Sequence, residues 1–122
     1  MTPSALKQLS LQSDPALTAA YANLAHDFNP LHLDQAFASQ TPFGGPIVHG
    51  SMSLVLLLNA IEATFGTAAT QQDLDIRFTA PVRVGERITA GGDRTDDGFS
   101  VWVRTDDGKD VLSGTLRIAS PD

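Results

Sequence analysis

Several side chains suited to proton transfer fall within one loop-rich segment, residues 21–50: Asp27, Asn29, His32, Asp34 and His49, with His26 beside them. Carboxylate and imidazole groups are the side chains best suited to moving protons near neutral pH. Asp27 and His32 are five residues apart across the Asn29-Pro30 turn. Both can therefore point into one cleft, and the segment is a candidate general acid–base site.

The same residues fit two other interpretations. In the first, Asp27 and Asn29 cap a turn and His32 bonds locally, and spacing alone favours this structural role. In the second, the histidines and aspartates bind a metal ion, but they lack the i, i+4 histidine pair of helical zinc sites. We therefore predict no metal site. The absence of cysteine also excludes thiolate chemistry.

A second candidate feature is His49-Gly50-Ser51, at the start of a long apolar run. The first turn of a helix presents unpaired N–H groups and the positive end of the helix dipole. Glycine at this position lets a ligand oxygen approach the backbone closely. Such a turn suits a carbonyl oxygen that gains negative charge. In the structural alternative, Gly50 only gives room for a tight turn and Ser51 caps the helix.

Hydrophobic patterning and capping signals predict the helices that hold these residues. Ser13-Asp14-Pro15 is a start signal for a helix over residues 16–24, which ends before Asn29-Pro30. Residues 33–39 predict one or two further helical turns. Residues 50–65 are apolar nearly all the way round, which predicts a helix buried on most sides.

Alternating apolar residues predict strands in the rest of the chain, over 4–12, 74–78, 82–90 with a turn at 84–86, 99–103 and 111–118. The tetrapeptide Thr-Asp-Asp-Gly occurs twice, at 95–98 and 105–108, and predicts hairpin turns. A long apolar helix followed by antiparallel strands predicts an α+β domain in which the sheet wraps around a central helix.

Composition limits the classes of function. A chain of 122 residues with 42% apolar and 18% charged residues suits one globular domain. The net charge of −6 is unfavourable for general nucleic-acid binding. The first fourteen residues contain no apolar run of signal-peptide length, and the most apolar stretch, Met52 to Leu58, is too short to span a membrane. We expect a cytoplasmic protein with no nucleic-acid or membrane partner.

Two stretches of the chain carry a longer, ordered pattern. The first runs Tyr21-Ala22-x-Leu24-x-x-Asp27-Phe28-Asn29-Pro30-Leu31-His32-Leu33-Asp34, then Ala36-Phe37-Ala38, Phe43 and Pro46-Ile47-Val48-His49-Gly50; the second is Phe78-Thr79-Ala80-Pro81-Val82-Arg83-Val84-Gly85-Glu86. The first resembles the hydratase motif of the MaoC-like family, in particular that of the (R)-specific enoyl-CoA hydratases. The second is similar to the family's strand and turn after the central helix.

This resemblance implies a single hot-dog domain over residues 1–122, which agrees with the sheet around a helix expected from patterning. It also implies reversible syn addition of water to a trans-2-enoyl thioester, giving an (R)-3-hydroxyacyl product without metal or organic cofactor. By resemblance, Asp27 and His32 hold and activate the water and Asn29 shapes the loop. The Gly50 N–H binds the thioester oxygen, and the expected substrate contacts are His49, Ser51, Phe43 and Ile47.

The implied partner is an acyl-CoA or acyl-carrier-protein thioester. We also expect a homodimer or a dimer of dimers, because one sheet leaves an open edge and an uncovered apolar helix face. Arg77, Arg83 and Arg87 are candidates to reach the CoA phosphates. Two alternatives stay open at this point: a hot-dog acyl-CoA thioesterase using Glu62, and a non-catalytic partner subunit.

Overall fold

The computed structural model describes residues 3–66 and 72–118, so residues 1–2, 67–71 and 119–122 of the expected 1–122 domain lie outside it. The elements are β1 (Leu9–Gln12), α1 (Pro15–Ala25), α2 (Pro30–Leu33), α3 (Gln35–Ser39), α4 (Gly50–Phe65), β2 (Gln72–Phe78), β3 (Arg87–Thr95), β4 (Gly98–Thr105) and β5 (Asp110–Ile118). Within the described part of the chain, no helix is long and apolar enough to cross a membrane.

The five strands form one antiparallel sheet in the order β1-β3-β4-β5-β2. Strands β1 and β2 are its edges. The long helix α4 lies against β1, β3, β4 and β5. The expected α+β hot-dog fold, a sheet around a central helix, is therefore confirmed.

The core lies between α4 and the inner face of the sheet. Its largest fully buried apolar side chains are Leu57, Ile61, Ile88, Leu112 and Leu116. The opposite face of α4 differs from the prediction of burial on most sides. There Val55 and Leu58 are 44% and 41% exposed, because a single sheet covers only one face of the helix.

Strand β3 differs most from the pattern-based expectation, since it starts at Arg87 and continues to Thr95 instead of spanning 82–90. Its extension runs through two glycines, which ordinarily weaken a strand. Here both are required by close neighbours. A Cβ at Gly91 would lie 2.6 Å from the Trp102 ring, and one at Gly92 would lie 2.8 Å from the Ser100 carbonyl oxygen.

Both Thr-Asp-Asp-Gly segments connect neighbouring strands, as predicted. The first is a two-residue turn, because Thr95 pairs directly with Gly98. The second is longer and contains Gly108 at φ +87°. In it the Thr105 side chain hydrogen-bonds the Asp107 carboxylate, and this bond lowers the pKa of Asp107.

Polar caps define the short helices that precede α4. Asp14 accepts a hydrogen bond from the Leu17 N–H at 2.7 Å and begins α1. Asn29 begins α2 by accepting from the Leu31 N–H at 3.0 Å. The capping role considered for Asn29 is therefore confirmed, and it fixes the turn between Asp27 and His32.

Candidate active site

Asp27 follows the end of α1, where His26 adopts a left-handed conformation with φ 55° and turns the chain. The Asp27 Oδ1 accepts from the Asn29 N–H at 3.3 Å. Its side chain is 48% exposed, so water or a ligand can reach the carboxylate.

His32 lies on α2 with its side chain only 11% exposed. Its Nδ1 is 2.8 Å from the Ile47 carbonyl oxygen. Because a carbonyl can only accept, we assign the ring proton to Nδ1, which leaves a lone pair on Nε2. The fold therefore presents His32 as a base at Nε2.

The His32 Nε2 and the Asp27 Oδ2 are 3.7 Å apart. That distance is too long for a good direct hydrogen bond, but one water can donate to both atoms over about 2.8 Å each. A water held in this way points both protons at bases and keeps an oxygen lone pair for attack. The pair can thus bind and activate a single water molecule.

His49 lies behind this pair and is 2% exposed. Its Nε2 is 3.0 Å from the backbone oxygen of Asp27, so this nitrogen is the donor. The ring stacks on His32 with centroids 3.9 Å apart, and the Tyr21 ring lies 5.0 Å away. One buried imidazole therefore contacts both Asp27 and His32.

Among residues 3–66 and 72–118, Asp27, His32 and His49 form a group whose ligand atoms come close enough for a metal ion, within 4.8 Å of one another. The stacking of the two rings is unfavourable for this use, since their planes differ by only 26°. A metal lies near the plane of each ligating imidazole, and two nearly parallel planes share no nearby point. The arrangement suits proton transfer better than coordination.

Gly50 begins α4, and its N–H has no acceptor among residues 3–66 and 72–118. Its φ is not positive, and a Cβ placed there would meet nothing within 4 Å. Neither backbone strain nor crowding therefore requires glycine at this position. What glycine provides is open space in front of an unpaired donor.

Gly50 opens onto a cleft of about 370 Å³ lined by His32, Phe43, Ile47, Val48, Gly50, Ser53, Phe78, Thr79, Ala80, Pro81, Val82 and Val111. The structure thus brings together four of the residues predicted from sequence: His32, Gly50, Phe43 and Ile47. Asp27 and Asn29 are not part of this wall; Asp27 lies beside His32.

Two further predicted contacts, His49 and Ser51, also lie outside the cleft wall. His49 is behind His32, and the Ser51 hydroxyl is 2.6 Å from the Tyr21 hydroxyl. Sequence reasoning missed Ser53 and the wall formed by residues 78–82. Phe78 offered a signal for this wall in the sequence, because it is an apolar residue at a strand end shortly before Pro81. In the structure its side chain is 54% exposed.

Arg83 holds the loop that carries Phe43. Its Nη2 donates to the Gly44 carbonyl oxygen at 3.0 Å, and a Cβ at Gly44 or Gly45 would lie within 3.3 Å of the same atom. Arg77 and Arg87 are exposed on the surface. Of the three predicted phosphate contacts, Arg83 therefore has a structural role in positioning the cleft loop.

The chain is similar to a known protein family and to curated proteins. The profile of the family described as "MaoC like domain" matches residues 2–109. A curated (R)-specific enoyl-CoA hydratase of Aeromonas caviae is 40% identical over 84 residues, which cover 68% of this chain and 63% of that protein. A 3-hydroxybutyryl-CoA dehydratase of Methylorubrum extorquens is 36% identical over 69 residues, 56% of this chain and 44% of the relative. The chain thus matches less than two thirds of the length of these relatives.

Two solved structures have a similar fold over nearly the whole of this chain. The (R)-hydratase from A. caviae superposes with a TM-score of 0.76 at 29% identity, covering 98% of this chain and 97% of the other. An R-hydratase from Pseudomonas aeruginosa superposes with a TM-score of 0.83 at 24% identity, covering 100% and 83%.

Proposed function

The chain belongs to the MaoC-like domain family, and from that premise we propose that it catalyses the reversible, (R)-specific hydration of trans-2-enoyl-CoA thioesters. One observation carries the proposal: His32, with its proton fixed on Nδ1, presents Nε2 at 3.7 Å from the Asp27 carboxylate. The similarity to proteins named (R)-specific enoyl-CoA hydratase supports it.

The first step is attack by the water held between Asp27 and His32. One of the two bases takes a proton from this water as its oxygen bonds to C3 of the substrate. The electron pair of the C2–C3 double bond moves onto the thioester oxygen and forms an enolate. The Gly50 N–H, at the positive end of α4, donates to that oxygen as its negative charge develops.

The second step returns a proton to C2 and restores the thioester carbonyl. Delivery from the same acid–base pair puts the hydroxyl and the proton on one face, which is syn addition. Run in reverse, the same groups remove water from a 3-hydroxyacyl thioester. Neither direction needs a metal or an organic cofactor.

The remaining residues position this chemistry. Asn29 caps α2 and sets the turn between the two bases. His49 holds the Asp27 backbone and stacks on His32, so we assign it an indirect role. Phe43 and Ile47 give the cleft an apolar wall for the acyl group. We favour CoA over an acyl-carrier protein, because such carriers are acidic and this chain has a net charge of −6.

We also propose that residues 1–122 act as one domain within a homodimer or a dimer of dimers. The exposed Val55 and Leu58 on the outer face of α4 support this assembly, as does the open edge of β2. A twofold pairing would bury both features. The cytoplasmic location stays a prediction.

The thioesterase alternative depends on Glu62, and the position of that residue gives it no support. Glu62 is exposed near the carboxyl end of α4 and is absent from the cleft wall. The non-catalytic alternative is disfavoured because His32 and Gly50 line one open cleft and the Asp27 carboxylate lies beside His32.

The test is an assay of the purified protein with crotonyl-CoA that follows the enoyl absorbance and free thiol together. We expect loss of the double bond without thiol release, and chiral chromatography should identify the (R)-3-hydroxy acid. Thiol release would favour the thioesterase, and a predominance of the (S) product would contradict the stereochemical assignment. No change in either signal would overturn the proposal.

A further inference from the structure

Ser53 lies on the second turn of α4 and lines the same cleft as Gly50. Only 1% of its surface is exposed. Residues three apart share a helix face, and helical side chains lean toward the amino end of the helix. Ser53 and the unpaired Gly50 N–H therefore lie one turn apart on one face of α4, at the same cleft.

The hydroxyl of Ser53 has no hydrogen-bond partner among the described residues, unlike the other helical hydroxyls. Those of Thr18, Ser39 and Thr64 donate to backbone carbonyls of their own helices at 2.6–3.0 Å. The hydroxyl of Ser51 pairs with Tyr21 at 2.6 Å. Serine in a helix ordinarily satisfies itself through such a bond to the preceding turn.

Ser53 is 1% exposed and lines the cleft, so its hydroxyl is nearly buried and faces the cleft without a protein partner among the described residues. A polar group in that position calls for an explanation. Packing does not explain the serine, because alanine at this position would fill nearly the same space without the desolvation cost of a hydroxyl. The position of Ser53 on the cleft wall, next to a second unpaired donor, points instead to a ligand atom that accepts hydrogen bonds. A carbonyl oxygen has two lone pairs and can accept from both groups.

We propose that the Ser53 hydroxyl donates a hydrogen bond to the thioester carbonyl oxygen of the substrate, beside the Gly50 N–H. This inference rests on the proposed function and adds a second donor to its oxyanion site. Ser53 keeps its proton throughout the reaction. Its bond strengthens as the oxygen becomes negative, so its effect falls on the transition state more than on substrate binding.

The kinetic test compares Ser53→Ala and Ser53→Thr with Ser100→Ala, a control that removes the same atom from an exposed serine on β4. We expect Ser53→Ala to lower kcat on crotonyl-CoA by on the order of 10²-fold with little change in KM, as for loss of one oxyanion donor. Ser53→Thr should restore much of kcat, because it restores the hydroxyl. The melting temperature of Ser53→Ala should be unchanged or higher, whereas a structural role would lower it.

A second measurement does not depend on turnover. Butyryl-CoA is a saturated thioester and cannot be hydrated, so the infrared carbonyl stretch of its bound form reports the donors directly. We expect a shift to lower frequency in the wild type and in Ser100→Ala, and a smaller shift in Ser53→Ala. An identical shift in all three proteins would overturn the inference.

The two arms also separate this inference from the proposed function. The wild type could bind butyryl-CoA with the Ser53-dependent carbonyl shift and still hydrate no crotonyl-CoA. That result would contradict the hydratase assignment and support the role of Ser53. If the wild type is active and Ser53→Ala leaves kcat unchanged, the hydratase assignment stands and the role of Ser53 is wrong. A rise in KM alone would show a ground-state contact and overturn the assignment to the reacting oxygen.

Discussion

At its amino end α4 presents the Gly50 N–H and the Ser53 hydroxyl, neither of which has a partner in the described part of the chain. At its carboxyl end the Thr64 hydroxyl donates to the Ala60 carbonyl at 2.7 Å, and the Phe65 ring packs edge-on against Phe99. One helix thus has polar groups without a protein partner in the described residues at one end, and hydrogen-bonded and packed groups at the other. Changes at the two ends should therefore affect different properties, activity at the first and stability at the second.

The largest expected effect is at Asp27 and His32, which lie beside the amino end of α4 and contact its N-cap residue His49. Asp27→Asn keeps the size of the side chain and removes its basicity, so we expect kcat on crotonyl-CoA to fall by about 10²–10⁴-fold. His32→Gln should have a similar effect, and the double variant should be little worse than either, because in the proposed mechanism both residues act on one water.

Melting curves followed by circular dichroism provide the control for these variants. The Asp27 side chain is 48% exposed and the bond from His49 goes to its backbone, so stability should change little. Near-normal turnover by Asp27→Asn would contradict the expectation that changes beside the amino end of α4 affect activity.

At the carboxyl half, Ile61→Ala should show the reverse pattern. Ile61 is 1% exposed, and truncating such a side chain typically costs about 2–5 kcal/mol of unfolding free energy. The kcat per folded molecule should stay near the wild-type value. Urea denaturation and active-site-normalised kinetics measure the two quantities, with the exposed Glu62→Gln as the matched neighbour. A loss of kcat without loss of stability would contradict the comparison.

Gly50→Ala sharpens the comparison because its two effects should have opposite signs. The new methyl group meets no protein atom and φ is already suitable, so stability should be unchanged or raised by up to about 1 kcal/mol. The same methyl group occupies the space needed by the substrate oxygen, and we expect kcat/KM to fall by on the order of 10²-fold. Full activity in this variant would mean that no ligand atom approaches Gly50.

The smallest effect is expected for Thr64→Val, which deletes a satisfied hydroxyl without changing side-chain volume. That hydroxyl donates to Ala60 and accepts from the Lys7 N–H at 2.9 Å, so we expect a loss of about 1 kcal/mol in unfolding free energy. Chemical denaturation detects a change of this size. The informative contrast is with Ser53→Ala: if both variants lost equal stability, Ser53 would have a structural partner.

Much of the fold follows from local patterns. The apolar run and its flanking glycines predict α4 at its observed bounds, Gly50–Phe65. Both Thr-Asp-Asp-Gly segments are turns because Asp and Gly favour that backbone. The course of β3 was missed because its two glycines are needed for tertiary reasons, the approach of Trp102 and of the Ser100 carbonyl.

Part of the site was predicted from sequence: the residues of one turn from their types and spacing, Gly50 from its place at the start of the long helix, and Phe43 and Ile47 from the family resemblance. Asp27, Asn29 and His32 share one turn, so residue type and spacing bring them together. The wall formed by residues 78–82 depends on the pairing of Ile47 with Arg83, which is a long-range contact. Ser53 was missed because a serine in a helix ordinarily pairs with its own backbone, and only the structure reveals a missing partner.

The bond from His49 to the Asp27 backbone has a consequence for how the chain folds. It joins residues 22 positions apart, and the bond from His32 to Ile47 joins residues 15 positions apart. Neither bond can form until the amino end of α4 has docked beside α1 and α2, whereas the helices themselves form in about a microsecond. In a refolding experiment the helical signal should therefore return first and catalysis later. The recovery of activity therefore reports when this docking step is complete.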